Sequence, residues 1–201
     1  SQALTTGRVD IQGDRMRVEF RLFDVLAEQQ IQGTAFTAPA AQWRRIGHLI
    51  SDVIYTRMLG ETGYFDTRIV YIAESGPRDR RTRRLSIMDQ DGENHAFLTD
   101  GAFQALTPRF HPDARQIAFM SYFRNEPRVY LFNLDTRQQS VLGNFGGMTF
   151  SPRFAPDGRS VILAAARGGD SNIYVVDLAT RRERQLTSGG CLLYTSDAAD
   201  E

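Results

Sequence analysis

The sequence lacks lysine and has a single cysteine, and both scarcities limit what the chain can be. All 24 basic residues are arginine, and 24 acidic residues balance them to a formal net charge of zero. A balanced chain carries no electrostatic footprint for nucleic acid or for an anionic membrane. A lone cysteine, Cys191, forms no intrachain disulfide, so the composition fits an oxidising or a reducing compartment equally.

Patterns of membrane spans and of common catalytic sites are also missing. No run of 18 apolar residues is present. The sequence has no nucleophile elbow, H-E-x-x-H, C-x-x-C, P-loop or G-x-G-x-x-G motif. Its three histidines, His48, His95 and His111, are far apart in the sequence, and isolated histidines are usually structural or solvated. We therefore expect no catalytic residues, no metal and no cofactor.

What the sequence does contain is a repeat with a period of 44 residues. The segment Thr107–Asp113 (TPRFHPD) recurs as Ser151–Asp157 (SPRFAPD). Short β-branched and aromatic runs alternate with turn-forming proline, aspartate and glycine, so each repeat predicts four strands, the size of a propeller blade. A β-sandwich with coincidental spacing is the alternative. Aspartates recur at matched repeat positions, which indicates turn caps rather than catalytic acids, with a calcium site as the minor alternative; they are Asp89, Asp91, Asp113, Asp135, Asp157 and Asp177.

The repeat defines the expected extent of the propeller. Blades begin near Thr67, Ala102 and Met148, so we assign residues 67–190 to an incomplete β-propeller, because closed propellers have about four to eight blades. Residues 191–201 break the repeat and resemble a translated sequencing adapter, which predicts a non-native tail. An unclosed propeller leaves blade faces and a strand edge bare, so we expect the chain to be prone to aggregation.

Residues 1–66 follow a different pattern, that of a small α/β domain. Apolar and charged residues alternate over Met16–Leu22, which predicts a strand with one buried face, paired to an earlier strand as a hairpin. A third strand is expected near Gln30–Thr37. The chain opens within this pattern and without an initiator methionine, so we expect the earlier part of the domain to be missing.

An amphipathic helix is predicted from Ala40 to Leu59. Its apolar stripe runs from Trp43 through the isoleucines to Arg57. Thr37 is the expected N-cap, and Gly60 is the expected C-terminal stop. The predicted fold class is therefore α+β: the C-terminal part of a small α/β domain followed by a truncated β-propeller, three blades or fewer of an expected six.

The repeat and the N-terminal segment resemble one family. The x-P-x-F-x-P-D-G motif, with Ile173–Thr180 (IYVVDLAT) and Arg184–Thr187 (RQLT), is similar to the TolB blade repeat. The segments Arg17–Val25, Trp43–Tyr55 and Leu59–Ile69 resemble the end of that family's N-terminal domain and its junction to the propeller. Together these segments cover residues 1–190. The repeat alone is less specific, because peptidases of the prolyl oligopeptidase type carry related blades.

The resemblance implies a non-catalytic periplasmic scaffold of the Tol–Pal cell-envelope system, with a six-bladed propeller. In that family the propeller binds the lipoprotein Pal, and the extreme N-terminus binds TolA through a segment expected to be missing here. The family supports outer-membrane integrity and constriction at division. Its Pal-facing loops precede the x-P-x-F motif and map onto Gln104, Leu106 and Thr107 in one blade and Met148, Phe150 and Ser151 in the next. The alternative for Met148 and Phe150 is that they cover the blade core.

The sequence also predicts an alternative function and two local features. The alternative function is the propeller domain of a prolyl-oligopeptidase-type serine peptidase, whose catalytic triad would follow in a hydrolase domain. The arginine cluster Arg78–Arg84 is expected to be a solvated hairpin tip, with a partner-binding patch as the minor alternative. Ala114 stands where the P-D-G turn has glycine, which predicts a tolerated type I turn.

Overall fold

The computed structural model describes residues 3–123 and 126–188, which form mostly β-sheet with one α-helix. Two compact units are present. The first contains the chain up to Arg68 together with Asp89–Asp91, and the second contains Ile69–Met88 and the chain from Gly92 onward. The predicted tail, residues 191–201, lies outside the described residues.

The first unit is a three-stranded antiparallel sheet with a helix. Its strands are β1 (Ala3–Gln12), β2 (Arg15–Asp24) and β3 (Gln29–Pro39), in that order. The hairpin and the third strand were both predicted and are confirmed. The register aligns Val18 with Phe36, so apolar side chains of β2 and β3 share the face on which the helix packs.

The helix, α1 (Trp43–Leu59), begins later than the sequence predicts. A 3₁₀ turn over residues 40–42 precedes it, and no side-chain cap is present at its N-terminus. The prediction that Thr37 is the N-cap is wrong, because this residue lies in β3 and pairs with Arg17 of β2. Trp43 is 59% exposed and so is not part of the buried stripe, whereas Ile46 is buried. Gly60 is confirmed as the stop, with φ of 76° and its N–H bonded to the Thr56 carbonyl.

The second unit contains three blade sheets. The first is β4 (Arg68–Ser75), β5 (Thr82–Asp89) and β6 (Ala96–Phe97). The second is β7 (Ala105–Phe110), β8 (Gln116–Ser121), β9 (Arg128–Asn133) and β10 (Gln139–Val141). The third is β11 (Met148–Phe154), β12 (Ser160–Arg167), β13 (Asp170–Asp177) and β14 (Glu183–Gln185).

Four strands per blade, as predicted, are found in the second and third sheets but not in the first. Residues 61–66 stand 44 positions before β7 and form no strand. The Asp52 carboxylate of α1 instead accepts the backbone N–H groups of Phe65, at 2.6 Å, and Asp66, at 3.0 Å. These bonds satisfy the backbone donors that an inner strand would offer to its neighbour. The first sheet therefore begins with the second strand of its repeat.

Two apolar cores lie between neighbouring blades. One joins the second and third sheets and includes Val129 and Leu131 with Val161 and Leu163. The other joins the first and second sheets and includes Leu85, Ile117, Phe119 and Phe132. Alternate residues of β9 belong to different cores, because successive side chains of a strand point to opposite faces. Each blade thus depends on its neighbours for burial, as the repeat predicts.

A threonine hydroxyl fixes the outer end of the first and third blades. The Leu85 N–H donates to Thr99 Oγ1 at 3.0 Å, and the Ile173 N–H donates to Thr187 Oγ1 at 3.0 Å. Both donors lie in the third strand of their repeat, and both acceptors follow the repeated leucine. The hydroxyl satisfies a backbone donor that the short outer strand leaves unpaired.

The second blade achieves the same bond differently. Gly143 occupies the threonine position, and a Cβ built there would lie 2.6 Å from the ring of Phe145. The Val129 N–H donates instead to Thr149 Oγ1 at 2.9 Å, and Thr149 belongs to β11 of the next blade. The bond therefore crosses from the second blade to the third, and the buried Phe145 ring occupies the space that the missing side chain leaves.

Candidate partner-binding surface

The x-Pro pair of each repeat forms a β-bulge in the first strand of its blade. The pairing register skips between Leu106 and Arg109 in β7 and between Phe150 and Arg153 in β11. Two residues therefore oppose one on the neighbouring strand in each blade. Proline has no N–H to give to the ladder, which is why it is tolerated at a bulge within a sheet.

The residue before each proline has a left-handed backbone. Thr107 has φ of 47° and Ser151 has φ of 53°. Positive φ is uncommon for residues other than glycine and is an outlier for β-branched threonine. Such strain persists only where the surrounding structure holds it, and it concentrates at functional sites. This strain recurs at the same position of two blades, within the bulged strands that carry the predicted site residues, so these bulges are the candidate site.

The six predicted site residues lie in or beside these bulged strands, at matched positions of the second and third blades. Gln104 and Thr107 are exposed, and Met148 is 51% exposed. Leu106, Phe150 and Ser151 are half-buried. Met148 is therefore accessible on the surface, and Phe150 is partly accessible. The structure thus places the six residues in two equivalent groups of three on neighbouring blades.

The loop that leads into Gln104 is held by the first blade. Arg84 Nε donates to the Asp100 carbonyl at 3.1 Å, and Asp100 Oδ1 accepts the Ala102 N–H at 2.9 Å. Gly101 has φ of 85°, and a Cβ there would clash with the Thr82 side chain. Only glycine fits this position, for both reasons. The loop is therefore positioned by packing rather than left free.

The equivalent loop before Met148 is positioned by another glycine. A Cβ on Gly147 would clash with the Ala166 carbonyl oxygen of β12. The close backbone approach places Met148 opposite Ala166 at the start of the β11–β12 ladder. Sequence reasoning did not identify Arg84, Gly101 or Gly147 as positioning residues, because their contacts are tertiary and no local motif marks them.

Turn-capping aspartates occupy the opposite end of the blades. Asp113 Oδ1 accepts the Arg115 N–H at 2.8 Å, and Asp157 Oδ1 accepts the Arg159 N–H at 2.9 Å. Asp177 Oδ1 accepts the Thr180 N–H at 2.7 Å. These bonds confirm the predicted turn-capping role for Asp113, Asp157 and Asp177. Asp91 instead pairs with Arg44, and the turn that contains Asp135 is capped by Asn133. Backbone hydrogen bonds lower the pKa of Asp113 and of Asp177, so both carboxylates stay ionised at neutral pH.

His111 connects two of these turns. Its Nε2 lies 2.8 Å from the Gly158 carbonyl oxygen, and its ring meets Phe154 edge to face at 4.9 Å. A carbonyl only accepts, so Nε2 carries a proton toward Gly158, while Nδ1 lies 2.7 Å from the Asp113 carboxylate oxygen Oδ1. His111 is thus a structural residue that joins the second blade to the third, as its turn position predicts.

The described residues contain neither a cluster of metal-ligating side chains nor a membrane-spanning helix. Across residues 3–123 and 126–188, no three His, Cys, Asp or Glu side chains gather as a metal site would require. In the same ranges, no helix has the length and apolarity needed to cross a membrane. His48 lies in the first unit, where its Nε2 is 3.1 Å from Asp91 Oδ2.

Comparison with known proteins decides the family. A family model described as the TolB beta propeller domain matches residues 55–195. The chain belongs to the TolB family. A relative from Paramagnetospirillum magneticum, named Tol-Pal system protein TolB, is 57% identical over 150 residues, covering 74% of this chain and 34% of the relative. A relative of the same name from Gluconobacter oxydans is 60% identical over 134 residues, covering 67% and 30%.

Solved structures of TolB agree with this assignment. The crystal structure of TolB from Acinetobacter baumannii superposes with a TM-score of 0.83 at 32% identity, covering 95% of this chain and 48% of that one. A putative TolB from Agrobacterium tumefaciens, at 15% identity and a TM-score of 0.51, supports the fold alone. This TolB-family chain spans about one third of the length of the curated relatives it matches.

Proposed function

We propose that this protein is a non-catalytic scaffold of the Tol–Pal cell-envelope system, located in the periplasm, whose propeller binds Pal. The repeated bulge carries the proposal: it holds Gln104, Leu106 and Thr107, and then Met148, Phe150 and Ser151, at equivalent places on adjacent blades. Loops on a rigid scaffold are suited to binding, and several blades give several separate contacts. Through such contacts the protein would support outer-membrane integrity and constriction at division.

The family comparison favours the scaffold over the peptidase alternative. The match to the Acinetobacter structure covers 95% of the chain, so it includes the N-terminal sheet and helix as well as the blades. We assign residues 1–66 to the end of the TolB N-terminal domain and residues 67–190 to part of a six-bladed propeller. TolA binding belongs, in this proposal, to an N-terminal segment outside this sequence.

The Pal-binding proposal predicts which exposed side chains matter. The double variant Gln104→Ala/Met148→Ala is expected to weaken binding of the soluble Pal domain about tenfold, because central interface contacts dominate affinity. Biolayer interferometry with the purified chain measures the effect. The matched control is Gln139→Ala/Val141→Ala, which truncates two exposed residues of the outer strand β10.

The Pal-binding experiment has three informative results. Weakened binding in the first variant with unchanged binding in the control supports the proposed surface. Equal weakening in both variants, or in neither, contradicts the assignment of these six residues. Failure of the unmodified chain, shown to be folded by circular dichroism, to bind Pal would overturn the partner itself.

A further inference from the structure

The hairpin of the first blade concentrates positive charge at one end of the propeller. Residues 74–84 contain five arginines and two carboxylates, a net charge of +3, although the whole chain is neutral. The other two blades neutralise arginines at this end. Arg128 pairs with Glu126 at 3.0 Å, and Arg167 pairs with Glu183 at 3.0 Å. Among the described residues 3–123 and 126–188, the excess positive charge at this end thus lies in the first blade.

Hydrogen bonds connect the side chains at the base of this hairpin. Glu74 accepts hydrogen bonds from Arg83 Nε at 2.6 Å and from Arg81 Nη1 at 2.9 Å, so one carboxylate fixes two guanidinium groups. The bonds from Arg83 and then Arg81 lower the pKa of Glu74, which therefore stays ionised at neutral pH. The guanidinium of Arg84 lies 4.8 Å from the centre of the Phe97 ring. Three of the five arginines thus support the hairpin.

The other two arginines project from its tip. The Arg80 N–H donates to the Pro77 carbonyl at 3.0 Å, which closes the turn. The Arg80 side chain is 84% exposed, with Asp79 3.6 Å away and 74% exposed itself. Arg78 is exposed, and within the part of the chain that the structure describes no side chain pairs with it. Both tip guanidinium groups are accessible to a partner.

The tip lies at the same end of the blades as the candidate partner-binding surface. The loop leading into Gln104 is attached to the base of the hairpin, through Arg84 and the Asp100 carbonyl at 3.1 Å. Gly101 of this loop packs against Thr82, the first residue of β5. A partner that contacts Gln104 therefore approaches the hairpin as well.

The chemistry of the tip selects the kind of partner. Residues 76–81 (GPRDRR) have no large apolar side chain to insert into a membrane interface. Two accessible arginines are also fewer than the four to eight that mark a polybasic lipid-binding cluster. A guanidinium fork matches a carboxylate in geometry and charge. These features favour an acidic protein segment over a lipid surface.

We propose that Arg78 and Arg80 bind an acidic segment of the protein that docks at this end of the blades. The inference rests on the proposed function in taking this end as the docking end. The hydrogen bond from the Arg80 N–H to the Pro77 carbonyl closes the turn that carries both side chains, which reduces the conformational entropy to be lost on binding. The hairpin would strengthen attachment and accelerate association through charge, in addition to the contacts made by the bulged strands.

The test uses a fluorescein-labelled polyglutamate peptide and fluorescence anisotropy. At about 50 mM salt the unmodified chain is expected to bind the peptide, and the affinity is expected to fall at about 300 mM because salt screens exposed charges. Arg78→Ala/Arg80→Ala is expected to weaken binding about fivefold, the result of losing two exposed ion pairs. The control Arg115→Ala/Arg182→Ala removes the same charge from turns at the opposite end.

Unchanged binding in Arg78→Ala/Arg80→Ala, or the same loss in the control, overturns the inference. So does stronger binding of the unmodified chain to phosphatidylglycerol vesicles than to the peptide, which would identify a lipid surface. Equal melting temperatures of the variants ensure that lost binding is not lost folding. The peptide assay contains no Pal, so it tests the hairpin independently of the interferometry experiment with Pal. If the chain binds the peptide but does not bind Pal, the proposed partner is overturned and the inference about the hairpin's chemistry is not.

Discussion

Ala114 has a left-handed backbone, with φ of 56°, where the third blade has Gly158 at 69°. The two residues close equivalent turns: the Ala114 N–H donates to the His111 carbonyl at 2.8 Å, and the Gly158 N–H donates to the Ala155 carbonyl at 2.9 Å. The predicted turn is thus present, but its last residue adopts a conformation that costs an L-residue about 1 kcal/mol. The turn requires this φ because the chain must re-enter the sheet as the next strand.

Replacing Ala114 with glycine is therefore expected to stabilise the protein. Glycine removes the steric strain that a Cβ causes at positive φ, and this gain exceeds the cost of the greater conformational entropy of the unfolded chain. The expected net gain is about 0.5 kcal/mol in the free energy of unfolding. Urea denaturation followed by circular dichroism measures it. Ala155→Gly is the control, since Ala155 begins the matching turn without a positive φ and is expected to lose stability. A loss in both variants would contradict this account.

The turns between the last two strands of each blade use different capping groups. In the third blade, Asp177 Oδ1 accepts the N–H groups of Ala179 and Thr180. In the second blade, Asn133 Oδ1 accepts the N–H groups of Asp135 and Thr136, each at 2.9 Å. The geometry is the same, but only the carboxylate titrates. The two turns therefore form a natural pair for testing pH dependence.

The stability contributed by Asp177 is expected to depend on pH in the acid range. Hydrogen bonds from the Thr180 N–H and hydroxyl lower its pKa below the ordinary 3.8. A lowered pKa means that the contribution is complete above 3.8 and is lost as the pH falls through the lowered value. Urea denaturation at a series of pH values should show a smaller acid loss for Asp177→Asn than for the unmodified chain. Asp135→Asn, beside the Asn133 cap, should match the unmodified chain; an identical acid loss in all three would contradict the assignment.

How far the elements could be predicted depends on whether their cause is local. The 44-residue repeat predicted the strands of the second and third blades, because short apolar runs and turn-forming residues are local signals in the sequence. Gly60 was likewise readable as a helix stop. Thr149 was not readable, because its hydroxyl acts on Val129 of another blade. The missing strand at residues 61–66 was equally hidden, since the carboxylate that holds this segment belongs to α1.

The features of the candidate site also differ in whether a local sequence signal predicts them. Its six residues were predicted from the family resemblance, by their place before the x-P-x-F motif, and the bulges at Thr107 and Ser151 lie at matched positions of both blades. The left-handed φ of these residues had no sequence signal, because threonine and serine rarely adopt it. The arginine cluster was visible as composition, but the division into three supporting and two projecting side chains required the positions of Glu74 and Phe97.

At the scale of the whole molecule, the first sheet is expected to govern self-association. Its strand order is β4-β5-β6, so within the described residues one edge of β4 has no strand beside it. Ile69 on this strand is 40% exposed. An open edge with apolar side chains is a template for pairing with another chain. The neutral net charge gives no long-range repulsion to oppose such pairing.

Placing a charge on this edge is therefore expected to reduce association. Ile69→Lys should move the chain toward monomer, because a lysine on an edge strand would be desolvated when a second chain pairs there. Light scattering after size-exclusion chromatography, over a range of protein concentrations, measures the shift. Val25→Lys is the control, since it adds the same charge at a 45% exposed valine in the turn after β2, in the first unit and not on a blade strand. If both variants become equally monomeric, net charge rather than the β4 edge governs association. A monodisperse monomer in the unmodified chain would show that this edge does not pair.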